Sequence, residues 1–111
     1  MVSRLFAVIA GVTLASGITV SAQDAKLVAA GKKLYDAYNC KKCHLIAGVG
    51  SKAGPLDGVA TKLSADDIHK WLVSPDEMTA KLKKKPKVKM KTQEYKPGEV
   101  EALMAYLSTL K

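Results

Sequence analysis

The chain has 111 residues, which is enough for one domain. It carries 18 Lys and Arg against 10 Asp and Glu, a net charge of +8 that points to acidic proteins, anionic membranes or nucleic acid as partners. Its 2 cysteines exclude a structural zinc site built from two cysteine pairs.

Residues 1–22, MVSRLFAVIAGVTLASGITVSA, hold one basic residue, Arg4, then an apolar run from Leu5 to Val20 and a small-residue site at Val20-Ser21-Ala22. That order is the order of an export signal, with Gln23 expected to begin the mature domain of residues 23–111. The alternative is an uncleaved membrane anchor, although the run falls short of the ~20 residues that a spanning helix needs. Either route delivers residues 23–111 outside the cytoplasm, and a periplasmic location is expected. Loss of Arg4 leaves 17 basic against 10 acidic residues, a net of +7. So short a domain usually needs a staple to complete its core. Its aromatic residues are Trp71, Tyr35, Tyr38, Tyr95 and Tyr106, too few to fill the middle of a fold.

In DAKLVAAGKKLYDAYN, Leu27, Ala30, Gly31, Leu34, Tyr35 and Tyr38 recur along one face of a helix, with Asp24 at its start. A glycine on that apolar stripe predicts the close approach of another helix at Gly31. Both cysteines and one of the two histidines follow in YNCKKCHLIAG. AGVGSKAGPLDGVA, residues 47–60, has the glycine and proline content of a loop. LSADDIHKWLVSP predicts a short helix capped by Ser64 with Asp67 three residues on, burying Ala65, Ile68 and Leu72 with Trp71 beside them, and ended by Pro75. The lysine-rich residues 78–97 show no period and are expected to be extended. Pro97 opens a last helix whose stripe is Val100, Leu103, Met104, Leu107 and Leu110. The expectation is an all-α domain of three main helices, with no strand.

Cys40, Cys43 and His44 admit three chemistries. A redox disulfide suits an exported C-x-x-C, but that motif usually heads a helix in a βαβ context, and no strands are expected here. A zinc site needs a fourth ligand, and His69 is the one candidate beyond the cluster. Covalent haem attachment uses all three side chains. Cysteines at i and i+3 share one side of a turn and can each add to a vinyl group at the porphyrin edge, and the next imidazole points at iron. C-x-x-C-H is the signature of that chemistry, and the haem would supply the apolar filling that the composition lacks.

With this motif the sequence resembles the class I c-type cytochromes, small soluble monohaem bacterial proteins, over essentially all of residues 24–111. The resemblance implies a small cytochrome c-like domain wrapped around one covalent haem c with its iron. Gly31 and Tyr35 are similar to the family's first helix. Cys40 and Cys43 match its thioether positions, and His44 its proximal iron ligand. Gly54-Pro55-Leu56 matches the loop whose proline carbonyl, here that of Pro55, accepts the histidine's hydrogen bond and tunes its basicity. Trp71 matches an indole near a haem propionate. Leu103, Ala105, Tyr106 and Leu107 match the last helix. The second axial ligand implied is Met90, ahead of the last helix. Met104 is read as core packing, Met78 lies close to the middle helix, and His69 is read as a surface histidine. The family commonly has proline after its ligand methionine, where this chain has Lys91.

A haem held by His44 and Met90 leaves no iron position open, so the implied function is electron transfer by Fe(II)/Fe(III) cycling, a carrier and not an enzyme. Two alternatives stand. One is a haem-based small-ligand sensor or peroxidase-like protein with a labile methionine, which Lys91 favours. The other is a basic zinc- or disulfide-containing binding module without haem. The seven lysines from Lys81 to Lys91 predict acidic-surfaced redox proteins as electron donor and acceptor. Nucleic acid is disfavoured by export and by the absence of interleaved aromatics. Membrane contact is expected only if the leader is retained, and a monomer suits a mobile carrier.

Overall fold

The computed structural model describes residues 22–111. The expected leader lies outside the described residues apart from Ala22, the first residue of helix α1 (Ala22–Ala37). Asp24 is in the first turn of α1, where a carboxylate meets the positive end of the helix dipole. Only the C-terminal half of the expected stripe is covered. Gly31 and Tyr35 are buried and Leu34 and Tyr38 half-buried, while Leu27 and Ala30 are exposed. The chain leaves α1 through Asn39, held left-handed at φ 55° and ψ 40°. Asparagine is among the few residues that tolerate this conformation. The reversal leads directly into one 3-10 turn, Cys40–Lys42.

The segment expected to be a plain loop contains a hairpin. Strands β1 (Leu45–Ile46) and β2 (Val49–Gly50) pair antiparallel, Leu45 opposite Gly50 and Ile46 opposite Val49. Between them Ala47 and Gly48 have φ of 50° and 81°, the pattern of a type I′ turn. The Asp57 carboxylate accepts from the Ala47 N–H at 2.9 Å and ties the hairpin to the following loop. Two-residue strands are too short to show alternation, which is why no strand is visible in the sequence pattern.

A single turn, α2 (Val59–Lys62), precedes α3 (Ala65–Val73). The expected cap on α3 is present: the Ser64 hydroxyl accepts from the Asp67 N–H at 3.1 Å. Ile68 and Leu72 are buried, whereas Ala65 is exposed. Pro75 does end α3, and it also begins α4 (Pro75–Lys81). At the first helical position its fixed φ is already helical and its missing N–H would have no partner. Asp76 and Glu77 in the first turn add to this, with Glu77 pairing to Lys81 at 3.7 Å on the exposed face. Met78 is therefore helical, and the extended stretch begins at Leu82. The last helix, α5, is Glu99–Leu107 with Gly98 as its N-cap, so Pro97 stands just ahead of the helix and not inside its first turn.

The largest helix interface is between α1 and α5, and α3 packs on α5 and carries α4. Tyr35, Ile68, Leu72, Leu103 and Leu107 form the buried cluster. Leu103 is 1% exposed, and full burial of one leucine contributes about 1.5–3 kcal/mol. Tyr35 meets Tyr106 edge-on, with ring centroids 5.8 Å apart. Burial, and secondarily the proximity of Cys40, pushes the Tyr35 phenol up to about 12.

Gly31 is the centre of the α1–α5 crossing. A Cβ built there would lie 2.7 Å from the Cβ of Tyr106 and closer still to the Ala102 carbonyl oxygen. The close approach expected from the sequence is thus a contact of backbone on backbone, and Ala102, itself buried, is the small residue that receives it. Gly31→Leu is expected to force the helices apart and to destabilise the domain by at least ~1–3 kcal/mol. In a domain of this size that corresponds to a fall in melting temperature of roughly 4–8 °C per kcal/mol. An unchanged thermal melt would show that the crossing adapts.

Candidate functional site

The Cys40–His44 turn is built from backbone hydrogen bonds. The Cys40 carbonyl accepts from both the Cys43 N–H (3.1 Å) and the His44 N–H (3.0 Å). The Ser51 N–H bridges the carbonyls of Lys41 (3.1 Å) and His44 (3.0 Å), which fastens the turn to the chain after β2. Cys40 and Cys43 are both free thiols, the first half-buried and the second exposed. Burial pushes the Cys40 thiol up, against its own backbone hydrogen bond, and the nearby Asp36 charge adds to the rise.

The imidazole of His44 is fixed by one contact. Its Nδ1 lies 3.0 Å from the Gly54 carbonyl oxygen. A carbonyl can only accept, so Nδ1 carries the proton, and the neutral ring keeps its lone pair on Nε2. That is the state in which histidine ligates a metal, with the second ring nitrogen anchored to the backbone. The expected acceptor was the Pro55 carbonyl, and the structure corrects this by one residue. Leu45 and Pro55 form a parallel bridge in which the Leu45 N–H bonds to the Gly54 carbonyl (3.0 Å) and the Leu56 N–H to the Leu45 carbonyl (2.8 Å). In such a bridge the groups facing Leu45 belong to the residues on either side of Pro55, whose own carbonyl points away.

Met90 is half-buried and packs against the central cluster in the same shell as Cys40, Ile46, Leu56, Leu63 and Tyr95. Met104 packs there too, as expected of a core residue, whereas Met78 is not in that shell. Trp71 is half-buried on α3 outside the cluster, and His69 is exposed on the same helix. Among the described residues no group of three or more His, Cys, Asp or Glu gathers as a metal site would require, so Cys40, Cys43 and His44 are not brought together with His69 as zinc ligands. Two thiols and one imidazole with Nδ1 anchored therefore share one turn, and Met90 and Cys40 both pack against the central cluster.

Two clefts lie elsewhere. One of about 450 Å³ is lined by Asp76, Thr79, Ala80, Lys85 and Lys89, and one of about 220 Å³ involves Tyr35, Ile46 and Tyr106. Neither is lined by Cys40, Cys43, His44 or Met90. Sequence reasoning missed three parts of the site. Asn39 follows a helical pattern directly, which is a signal for a left-handed helix end. Gly54 was visible only as a neighbour of Pro55. The Tyr38–Glu99 hydrogen bond (2.5 Å) joins residues far apart in sequence and leaves no local signal.

Gly54 also has no room for a side chain. A Cβ there would lie 2.8 Å from His44 Nδ1 and closer to the Cys43 carbonyl oxygen. Gly54→Ala is expected to displace the imidazole and break the Nδ1–H bond, at a cost of ~1–3 kcal/mol. Histidine 15N shifts report the tautomer, and retention of a protonated Nδ1 in the variant would refute the role given to this glycine.

The family model described as Cytochrome c matches residues 28–111. No curated protein and no solved structure matches the chain. The match runs from α1 through the Cys40–His44 turn to the end of the chain, and the C-x-x-C-H spacing falls inside it. The chain accordingly belongs to the cytochrome c family, a haem-based electron carrier with covalently bound haem c and its iron.

Proposed function

We propose that the protein is an exported monohaem shuttle that passes single electrons between acidic-surfaced redox proteins. In this reading Cys40 and Cys43 would hold the haem covalently through two thioethers. His44 Nε2 and Met90 Sδ would ligate its iron, and residues 1–22 would be the export leader. The observation that carries the reading is the Nδ1–H···O=C contact of His44 with Gly54, which presents Nε2 to a metal. The haem supplies the redox-active iron. The chain supplies the two ligands, an apolar wall and a charged approach. Ligation by both side chains would leave no open position for a substrate and would raise the reduction potential.

No helix among the described residues is long and apolar enough to cross a membrane. The lysines of residues 81–91 are all exposed. Two differ from the rest: Lys81 pairs with Glu77 (3.7 Å), and the Lys85 ammonium donates to the carbonyls of Thr79 (3.1 Å) and Ala80 (2.6 Å). The docking charge is therefore assigned to Lys83, Lys84, Lys87, Lys89 and Lys91, on both sides of Met90. Such a patch steers an acidic partner, with gains in on-rate of ~10–10³-fold that fade as salt rises.

Met90→Ala is expected to abolish the ferric methionine–iron absorption band, lower the potential and admit external ligands, while Met78→Ala and Met104→Ala keep the band. Loss of the band in Met78→Ala and its survival in Met90→Ala would move the ligand to the other methionine. Haem should stay on the chain through acid and organic solvent, since thioethers do not dissociate.

Electron transfer to an acidic redox protein is expected to slow steeply with ionic strength. Replacing Lys83, Lys84 and Lys87 with Glu should slow it further at unchanged potential. A second-order rate that is flat from low to high salt would take the docking role away from these lysines.

A further inference from the structure

The chain between α4 and α5 carries Met90, yet among the described residues no backbone–backbone hydrogen bond is made by residues 83–95. Its path is set by side chains: Met90 itself packs against the central cluster, and the polar contacts act near the two ends. At the front, Lys85 folds back onto the last turn of α4 and donates to the Thr79 and Ala80 carbonyls. Both carbonyls lie at the negative end of a helix, where a cation is favoured, and the Thr79 carbonyl also accepts the Leu82 N–H at 3.1 Å. At the rear stands Tyr38, just beyond the end of α1. Its hydroxyl donates to Glu99 Oε1 at 2.5 Å and lies 3.3 Å from the Glu94 carbonyl. The same carboxylate oxygen accepts from the Lys96 N–H at 2.8 Å. The Tyr38 ring meets Tyr95 edge-on, with centroids 5.1 Å apart and planes at 71°. Met90 is five residues from Lys85 and five from Tyr95, midway between the two grips.

A segment with no ladder of its own gains conformational freedom whenever one end is released. We propose that Tyr38 and Lys85 are positioning residues for the iron ligand: they pin the strap that presents Met90, and the occupancy of the methionine–iron bond depends on both. The inference rests on the assignment of Met90 as ligand. Neither residue touches the haem in this account. Tyr38 is two residues before Cys40, so the turn that sets the thiols also anchors the strap carrying the thioether. Lys85, in the middle of a run of surface lysines, belongs to the fold and not to the docking patch.

The test uses the haem-loaded full chain in the ferric state and titrates it with imidazole, which reaches iron only when methionine leaves. Tyr38→Phe keeps the ring against Tyr95 and removes the hydroxyl. Glu99→Ala removes the acceptor of the same bond. Lys85→Met keeps the length and removes the ammonium. Each is expected to bind imidazole roughly tenfold more tightly, the scale of one lost hydrogen bond to a charged group, because the methionine-off state is more populated. The ferric methionine–iron absorption band should weaken in parallel. Lys52→Met, an exposed lysine elsewhere, should match the parent. A fall in melting temperature with unchanged imidazole affinity in all three variants would reduce these contacts to ordinary structural ones and overturn the proposal. Met90→Ala separates the two levels. If it leaves imidazole binding and the methionine band unchanged, the ligand assignment itself fails. If it tightens binding while the three variants do not, only the strap proposal fails.

Discussion

The α1–α5 crossing at Gly31 is the constraint from which the rest of the domain follows. Two helices meet there with no side chain at the centre, so the Ala102 carbonyl lies where a Cβ would otherwise stand. This separation brings Tyr35 against Tyr106 and places Leu103 and Leu107 in the buried cluster. It also fixes the end of α1, and through Asn39 the orientation of the turn that holds Cys40, Cys43 and His44. The start of α5 is set by the same contact, and with it Glu99, which receives the Tyr38 hydroxyl. A single close approach thus locates the thiols on one side and the end of the methionine segment on the other.

Local chemistry divides the basic residues into different tasks. Lysines 83, 84, 87, 89 and 91 are exposed and carry no hydrogen bond or ion pair among the described contacts. Lys85 closes α4, and Lys70 and Lys81 pair along their own helices with Asp66 and Glu77. Pairs of that exposed kind contribute little to stability. The segment around Met90 is therefore strongly positive with few neutralising partners, which keeps its field available at a distance and costs the fold some self-repulsion.

Much of this was legible in the sequence. The spacing of Cys40, Cys43 and His44, the apolar stripes of α1, α3 and α5, the Ser64 cap and the meaning of Gly31 all rest on local pattern. What was not legible depends on tertiary contact or on very short elements. Pro75 read as a stop and proved to be a start as well, because the same fixed φ serves both. The hairpin at Leu45–Gly50 is two residues per strand and is held by Asp57, ten residues from Ala47. The His44 acceptor moved from Pro55 to Gly54 because a parallel bridge, invisible to periodicity, decides which carbonyl faces the ring. Ala65 and Leu27 were placed in the core by period alone, but both are exposed, and among the described residues no neighbouring element covers them.

The hydrogen bonds that shape the donor turn share one further property. His44 to Gly54, Ala47 to Asp57, Ser51 to Lys41 and Leu56 to Leu45 all join residues eleven or fewer apart. The helix crossing joins Gly31 to residues 102 and 106, more than 70 positions away. Short loops close with less entropy lost and sooner than long ones. The arrangement of thiols and imidazole therefore costs far less loop entropy than the crossing that positions it, and the two are separable in the sequence distance of their contacts.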